Sequence, residues 1–248
     1  IHAFCEKLLR RFPLEAGLSP AFRVMDDPDA AAVAAAARRL VARHVLDAGG
    51  PVADAYARLS VALDFGSFEA MFARFEAERG GLKAFFDATG GLDGAVGWVW
   101  RAVDVARGAD PEALAAESMA ARDRSLYRRA AETLSAGGTH AKEAARLAAL
   151  AEGDGAGLDD ALSLFFTGKG EPAKWIANAA SLKAHPTLQS LLLAEQARIE
   201  ALRDRCRSAQ VARETQDALT LAHAYLAAYR IEKDAAGALD FADLIEHT

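Results

Sequence analysis

The sequence predicts an all-α fold, an irregular array of helices that includes one or two long ones. Three observations predict it. Ala, Leu, Arg and Glu, the strong helix formers, fill most of the 248 positions, and runs rich in Val, Ile and Thr with strict alternation are absent. Apolar residues recur three and four apart, as in Phe68, Met71, Phe72 and Phe75. The pairs Asp27–Pro28 and Asp110–Pro111 each join a capping side chain to a proline suited to the first helical turn.

The elements follow in order. The opening IHAFCEKLLRRF reads as an amphipathic helix that breaks at Pro13 and leads into a loop through Gly17 and Pro20. Asp27 and Pro28 start a second helix, which Gly49 and Gly50 end. A third runs from about Val52 to Leu63. Ser67 caps the next, the phenylalanine-rich FEAMFARFEAERGG. LKAFFDATGG is short, and AVGWVWRAVDVARG is closed by Gly108. A helix from Asp110 is expected to run to about Leu134, and Thr139 opens another. Residues 153–157 are a turn, LDDALSLFF is a short helix and TGKGEPAKW is a polar loop. Pro186 then precedes the longest helical stretch. Leu188, Leu192, Ile199, Leu202 and Cys206 lie near the period of a packed seam, which Leu219, Ala222, Leu226 and Tyr229 continue. One helix or two with a bend would satisfy this pattern. Gly237 ends it, and ALDFADLIEHT starts a new helix that Asp240 caps, with Asp243 in its first turn.

Composition narrows the function. A formal charge of −6 argues against a protein that is basic all over, although partners feel the local field rather than the sum. No apolar run reaches the roughly 20 residues that span a bilayer. Cys5 and Cys206 make no disulfide framework and read as reduced core thiols. A cytoplasmic protein without a membrane partner is expected.

The usual catalytic signatures are missing. TGKGEP has a glycine–lysine pair but lacks both the first glycine of a phosphate-binding loop and the hydroxyl after the lysine. The six histidines form no ligand pair at helical spacing. Asp26–Asp27 and Asp159–Asp160 precede helices and read as caps at the positive dipole end. Basic residues do cluster. Lys7, Arg10 and Arg11 share one face of the opening helix, with Phe4, Cys5, Leu8, Leu9 and Phe12 on the other. Arg122, Arg124, Arg128 and Arg129 crowd two turns, and Arg198, Arg203, Arg205, Arg207 and Arg213 follow the long helix. Such runs are either salt-bridged solvent faces or phosphate-tracking stripes.

The two ends of the chain carry a resemblance. IHAFCEKLLRRFPLEAG resembles the T-[IF]-H-x-F-C motif of UvrD-type superfamily-1 DNA helicases, without its threonine. LDFADLI resembles the motif that precedes the magnesium-binding D-E-x-Q motif in those enzymes, and LFFTGKGEPAKWI resembles a loop of the AddA branch, the helicase–nuclease subunits of bacterial double-strand break repair. The resemblance implies that residues 1–16 are a flanking helix of a motor domain. Residues 17–236 would be a helical 1B-like subdomain inserted in a RecA-like domain, and 237–248 the start of the next motor-domain helix. The chain would then be an excerpt, inactive alone, of an ATP-dependent DNA helicase. The fragment would hold no cofactor; ATP and Mg, with an AddB-like partner subunit, would belong to the parent. The motif implies that His2 lies along the DNA path, that Phe4 and Cys5 pack the helix onto the motor sheet, and that Asp240, Phe241 and Asp243 are structural. Lys7, Arg10, Arg11, Arg122, Arg124, Arg128, Arg129, Arg203 and Arg207 are the expected contacts to single-stranded or fork DNA, through phosphates and without base reading. AddA-like loops often carry a basic residue where this chain has Ala173, which leaves Lys169 and Lys174 as the loop's charges. The two terminal segments are expected to pack on each other or fray. An all-α module that docks a partner protein is the alternative reading.

Overall fold

The computed structural model describes residues 2–17, 21–153 and 157–246, apart from the side chains of His2, Phe241, Ala242 and Glu246. The expected turns at 17–20 and 153–157 lie partly outside these residues. Helix formers and regular apolar spacing produce fourteen helices among the described residues, with one two-residue strand pair. In chain order they are α1 (His2–Arg11), β1 (Arg23–Val24), α2 (Asp27–Ala48), α3 (Gly50–Ala62), α4 (Phe65–Ala77), α5 (Arg79–Thr89) and α6 (Leu92–Ala102). Next come α7 (Pro111–Ala120), α8 (Arg124–Gly137), α9 (Ala141–Glu152), α10 (Leu158–Phe165), α11 (Trp175–Asn178) and α12 (Ala180–Lys183). The chain closes with α13 (Pro186–Ala236), β2 (Ala238–Leu239) and α14 (Phe241–Glu246).

The long stretch is a single helix of 51 residues. Thr187 to Ala236 contains neither glycine nor proline, so nothing interrupts its hydrogen-bond ladder. Gly237, at φ 57°, adopts the left-handed turn that stops it. Four expectations are corrected. Asp26 caps α2, one residue before the expected Asp27, by accepting from the Asp29 N–H. Asp64 rather than Ser67 caps α4, accepting from the Ser67 N–H and hydroxyl. Helix α6 ends at Ala102, well before Gly108. The helix expected from Asp110 to Leu134 is two, because Asp123 turns its carboxylate onto the Ser125 and Leu126 N–H groups and starts α8 afresh.

The chain forms two compact units, residues 1–99 with 214–248 and residues 100–213. In the first, Val33, Ala37 and Val41 of α2 meet Phe68, Phe72 and Phe75 of α4 and Leu221, Tyr225 and Tyr229 of α13. Phe72 meets Tyr225 edge-on, with centroids 5.1 Å apart. A smaller core joins Cys5 and Leu9 of α1 to Phe22 and to Leu244 of α14. Beside it β1 pairs in parallel with β2, Arg23 opposite Ala238 and Val24 opposite Leu239. The terminal segments therefore pack on each other.

In the second unit, α8, α9 and α10 enclose Tyr127, Leu134, Leu147, Leu150 and Phe165. Leu192, Ile199 and Leu202 of α13 close this core, as their spacing predicts. Phe165 stacks on Trp175, whose indole N–H donates to the Leu164 carbonyl at 3.0 Å.

Candidate nucleic-acid interface

The arginines marked by the sequence divide by what they touch. Arg122 is corrected: it is a core residue, 6% exposed. Its guanidinium donates to the carbonyls of Met119, at the end of α7, and of Leu150 and Gly153, at the end of α9. Helix C-terminal carbonyls lack intrahelical partners, and a buried arginine satisfies three of them here. Arg203 is half-buried, its side chain 14% exposed, and pairs with Glu200 and Asp204. The Asp204 hydrogen bond raises its pKa. Arg128 is exposed but bonded to Glu152 at 3.1 Å, and Arg124 is half-buried and partnered. Arg10 pairs with Glu6 at 2.9 Å. Lys7, Arg11, Arg129 and Arg207 are exposed and carry no ion pair among the described residues. Arg11 lies over the ring of Phe12.

Sequence reasoning missed Arg198's role. It bonds both oxygens of Glu195, at 2.7 and 2.8 Å, and the Ser118 hydroxyl, while the Tyr127 hydroxyl donates to the same carboxylate. Burial, then Glu195, pushes the Tyr127 phenol upward. The signal available was Glu195 and Gln196 sitting inside an apolar seam, where a polar side chain must be partnered.

The motif residues behave differently from one another. Cys5 is buried, whereas Phe4 is 67% exposed. The α1 seam runs through Cys5 and Leu9, four apart, and Phe4 borders a shallow groove with Ala3, Glu6, Lys7 and Arg10. The side chains of His2 and Phe241 lie outside the described residues. Asp240 and Asp243 form a reciprocal cap: the Asp243 N–H donates to the Asp240 carboxylate at 3.1 Å, and the Asp240 N–H to that of Asp243 at 2.9 Å. Lys233 bonds both carboxylates and Arg79 bonds Asp240, and Lys233, Asp240 and Asp243 are each no more than 15% exposed. Neighbouring Tyr229 is pushed up to about 12, by burial first and then by Asp240.

The polar loop is an ordered hairpin. Phe166 bridges Pro172 in antiparallel fashion, the Thr167 N–H donates to the Glu171 carbonyl and the Gly170 N–H to that of Thr167, both at 2.8 Å. Gly170 stands at φ 80°, a left-handed turn that a side chain would strain. A triphosphate does not fit it, because the turn closes a hairpin instead of leading from a strand into a helix N-terminus. Among the described residues no three His, Cys, Asp or Glu side chains converge as a metal site would require, and no helix is long and apolar enough to cross a membrane.

The chain matches no protein-family model, no curated protein and no solved structure.

Proposed function

We propose that the chain is a DNA-contacting helical region of an ATP-dependent DNA helicase of the UvrD and AddA kind, acting on broken ends in recombinational repair. The reading rests on the residues of the two motifs, and one observation supports it most. The segments that carry them are far apart in sequence yet share a core through Cys5, Leu9 and Leu244, beside the β1–β2 pair. An insertion in a larger domain needs such a root, where the chain leaves and returns. ATP and Mg would be held by the parent outside these residues, so the chain alone should hydrolyse no ATP. Of the expected contacts, Lys7, Arg11, Arg129 and Arg207 are exposed and without an ion pair among the described residues.

Docking of a partner protein, such as a second subunit, is the rival reading.

Fluorescence anisotropy with labelled single-stranded and forked DNA over a KCl series tests the reading. Phosphate contact gives affinity that falls steeply with salt. Absence of binding at low salt, with salt-insensitive capture of a partner subunit, would replace it with the rival. The reading frame on either side tests the helicase assignment separately: a phosphate-binding loop upstream and D-E-x-Q downstream are expected, and flanks with neither would refute it.

A further inference from the structure

The hairpin at residues 166–172 poses a physical question. Thr167 to Pro172 are exposed and polar, a composition that usually leaves a loop mobile. Two side chains of α13 nonetheless fasten it. Gln196, 8% exposed, donates to the carbonyls of Phe165 and Ala173, at 2.7 and 3.3 Å, and so holds both legs. Arg203 lies over the ring of Phe166, 5.1 Å from its centroid, and donates to the Gly170 carbonyl at 3.4 Å. Arg203 is held in turn by Glu200 and Asp204. The loop is thus fixed at both legs and near the tip, and the tip residue is Lys169. Its ammonium is exposed and has no acidic partner among the described residues. Arg207, one turn beyond Arg203 on α13, is a second exposed cation. Glu171 in the loop and Glu200 and Asp204 on α13 are the acidic groups of this region, and Asp204 feels the charge of Arg207 as well as that of Arg203.

We infer that the hairpin is a preorganised arm presenting Lys169 to the backbone phosphates of a nucleic acid, and that Arg203 and Gln196 are positioning residues. The inference rests on the DNA reading above and deepens it. It moves one expected contact, Arg203, into a supporting role and brings in Lys169, which the sequence alone left aside. Holding a cation in place beforehand lowers the entropy lost on binding. Because phosphates carry no sequence information, the contact would be indifferent to base sequence.

The test is anisotropy of a labelled oligonucleotide over a KCl series with the whole chain, using K169A, R203M, R203K and the double variant K169A/R203M. K169A is expected to weaken binding several-fold and to reduce the salt slope by about 1, the mark of one lost phosphate contact. R203M should weaken binding to a similar extent, R203K should restore part of it, and the double variant should bind no more weakly than the weaker single. Amide exchange at Gly170 and Ala173 should quicken in R203M and not in K169A. Additive losses would make Arg203 a contact itself and overturn its positioning role. Wild-type binding that K169A leaves unchanged would overturn the hairpin's role while the DNA reading stands. No salt-dependent binding by the wild type would remove both. If R203M lowers the melting temperature markedly, the K169A slope decides, since that exposed side chain supports no part of the fold.

Discussion

In the first unit, buried charge meets opposite charge across long stretches of chain. Arg79 holds Asp240 from 161 residues away and Arg58 holds Asp217 from 159, with two hydrogen bonds of 2.7 Å, while Lys233 bonds Asp240 and Asp243 from 7 and 10 residues away. In the second unit, Arg122 is as buried as Lys233, yet its donors go to backbone carbonyls at the ends of α7 and α9. The first arrangement ties remote segments together, since Arg79 and Asp240 are 161 residues apart. The second closes neighbouring helices, since Arg122 and Leu150 are only 28 apart. The Arg79–Lys233 cluster is a clasp and Arg122 a cap, and the two should fail differently when removed.

The clasp should fail hardest. Lys233→Met takes a shared cation from two carboxylates, 11% and 15% exposed. Breaking a buried pair from one side costs about 4 kcal/mol, to be read from the urea midpoint. Replacing Lys233 together with Asp243, as K233M/D243N, leaves Asp240 on Arg79 and should recover much of that loss, because the unpaired charge and not the missing attraction carries the penalty. A loss below about 1 kcal/mol in the single variant would mean that water reaches the carboxylates, and the contrast with Arg122 would collapse.

Arg122→Met should come next, at about 3 kcal/mol, since two buried carbonyls and a half-buried one lose a charged donor. Arg122→Lys should recover only part, as a single ammonium cannot span the fork between Met119, Leu150 and Gly153. Full recovery would show that charge alone matters at this site and that the capping geometry does not.

Alkaline pH loads both units more gently. The Tyr229 phenol is raised from 10.0 to about 12, and Tyr225 and Tyr127 are also raised, chiefly by burial. A raised folded pKa gives stability that is complete below the unfolded value near 10 and is lost as pH climbs toward 12. Tyr229 alone should remove about 1.4 kcal/mol by pH 11. Urea midpoints measured from pH 9 to 11 in wild type and Tyr229→Phe check this, the variant showing the shallower fall.

These contrasts also mark what the sequence could say. Helices were legible because their period is written in single residues, and the α13 seam at Leu192, Ile199 and Leu202 is buried as its spacing requires. Helix starts were less so: Asp64 and Ser67 are both capping types, and only the packing of Phe68 and Phe72 decides between them. The roles of the arginines were least legible. Arg122 and Arg129 stand in one basic run, yet one is buried and the other exposed. A charge count cannot see the helix break between them that aims Arg122 inward. The terminal motifs were legible as residues, whereas the exposure of Phe4 depends on which turn of α1 faces Leu244.

That break supplies the smallest expected effect. Asp123 is the whole of the signal that ends α7 and begins α8, since Ala120 to Arg124 contains neither glycine nor proline. Its carboxylate accepts from the Ser125 N–H at 2.9 Å and the Leu126 N–H at 3.1 Å, and the Ser125 hydroxyl bond is the largest cause of its lowered pKa. Asp123→Ala should cost about 1 kcal/mol, the usual worth of an N-cap. Asp123→Asn, which keeps the acceptor, should cost less. The loss should fade in acid for the wild type alone, because a carboxyl with a lowered pKa gives up its stabilisation as pH falls through the folded value. If Asp123→Ala also frees Arg122 from the Met119 carbonyl, its cost would rise toward that of Arg122→Met, and the double variant would be far less than additive. Cap and buried cation would then be one device: the turn between α7 and α8 is kept so that its arginine points into the core, and the basic run that reads like a DNA stripe exists in part to hold two helix ends.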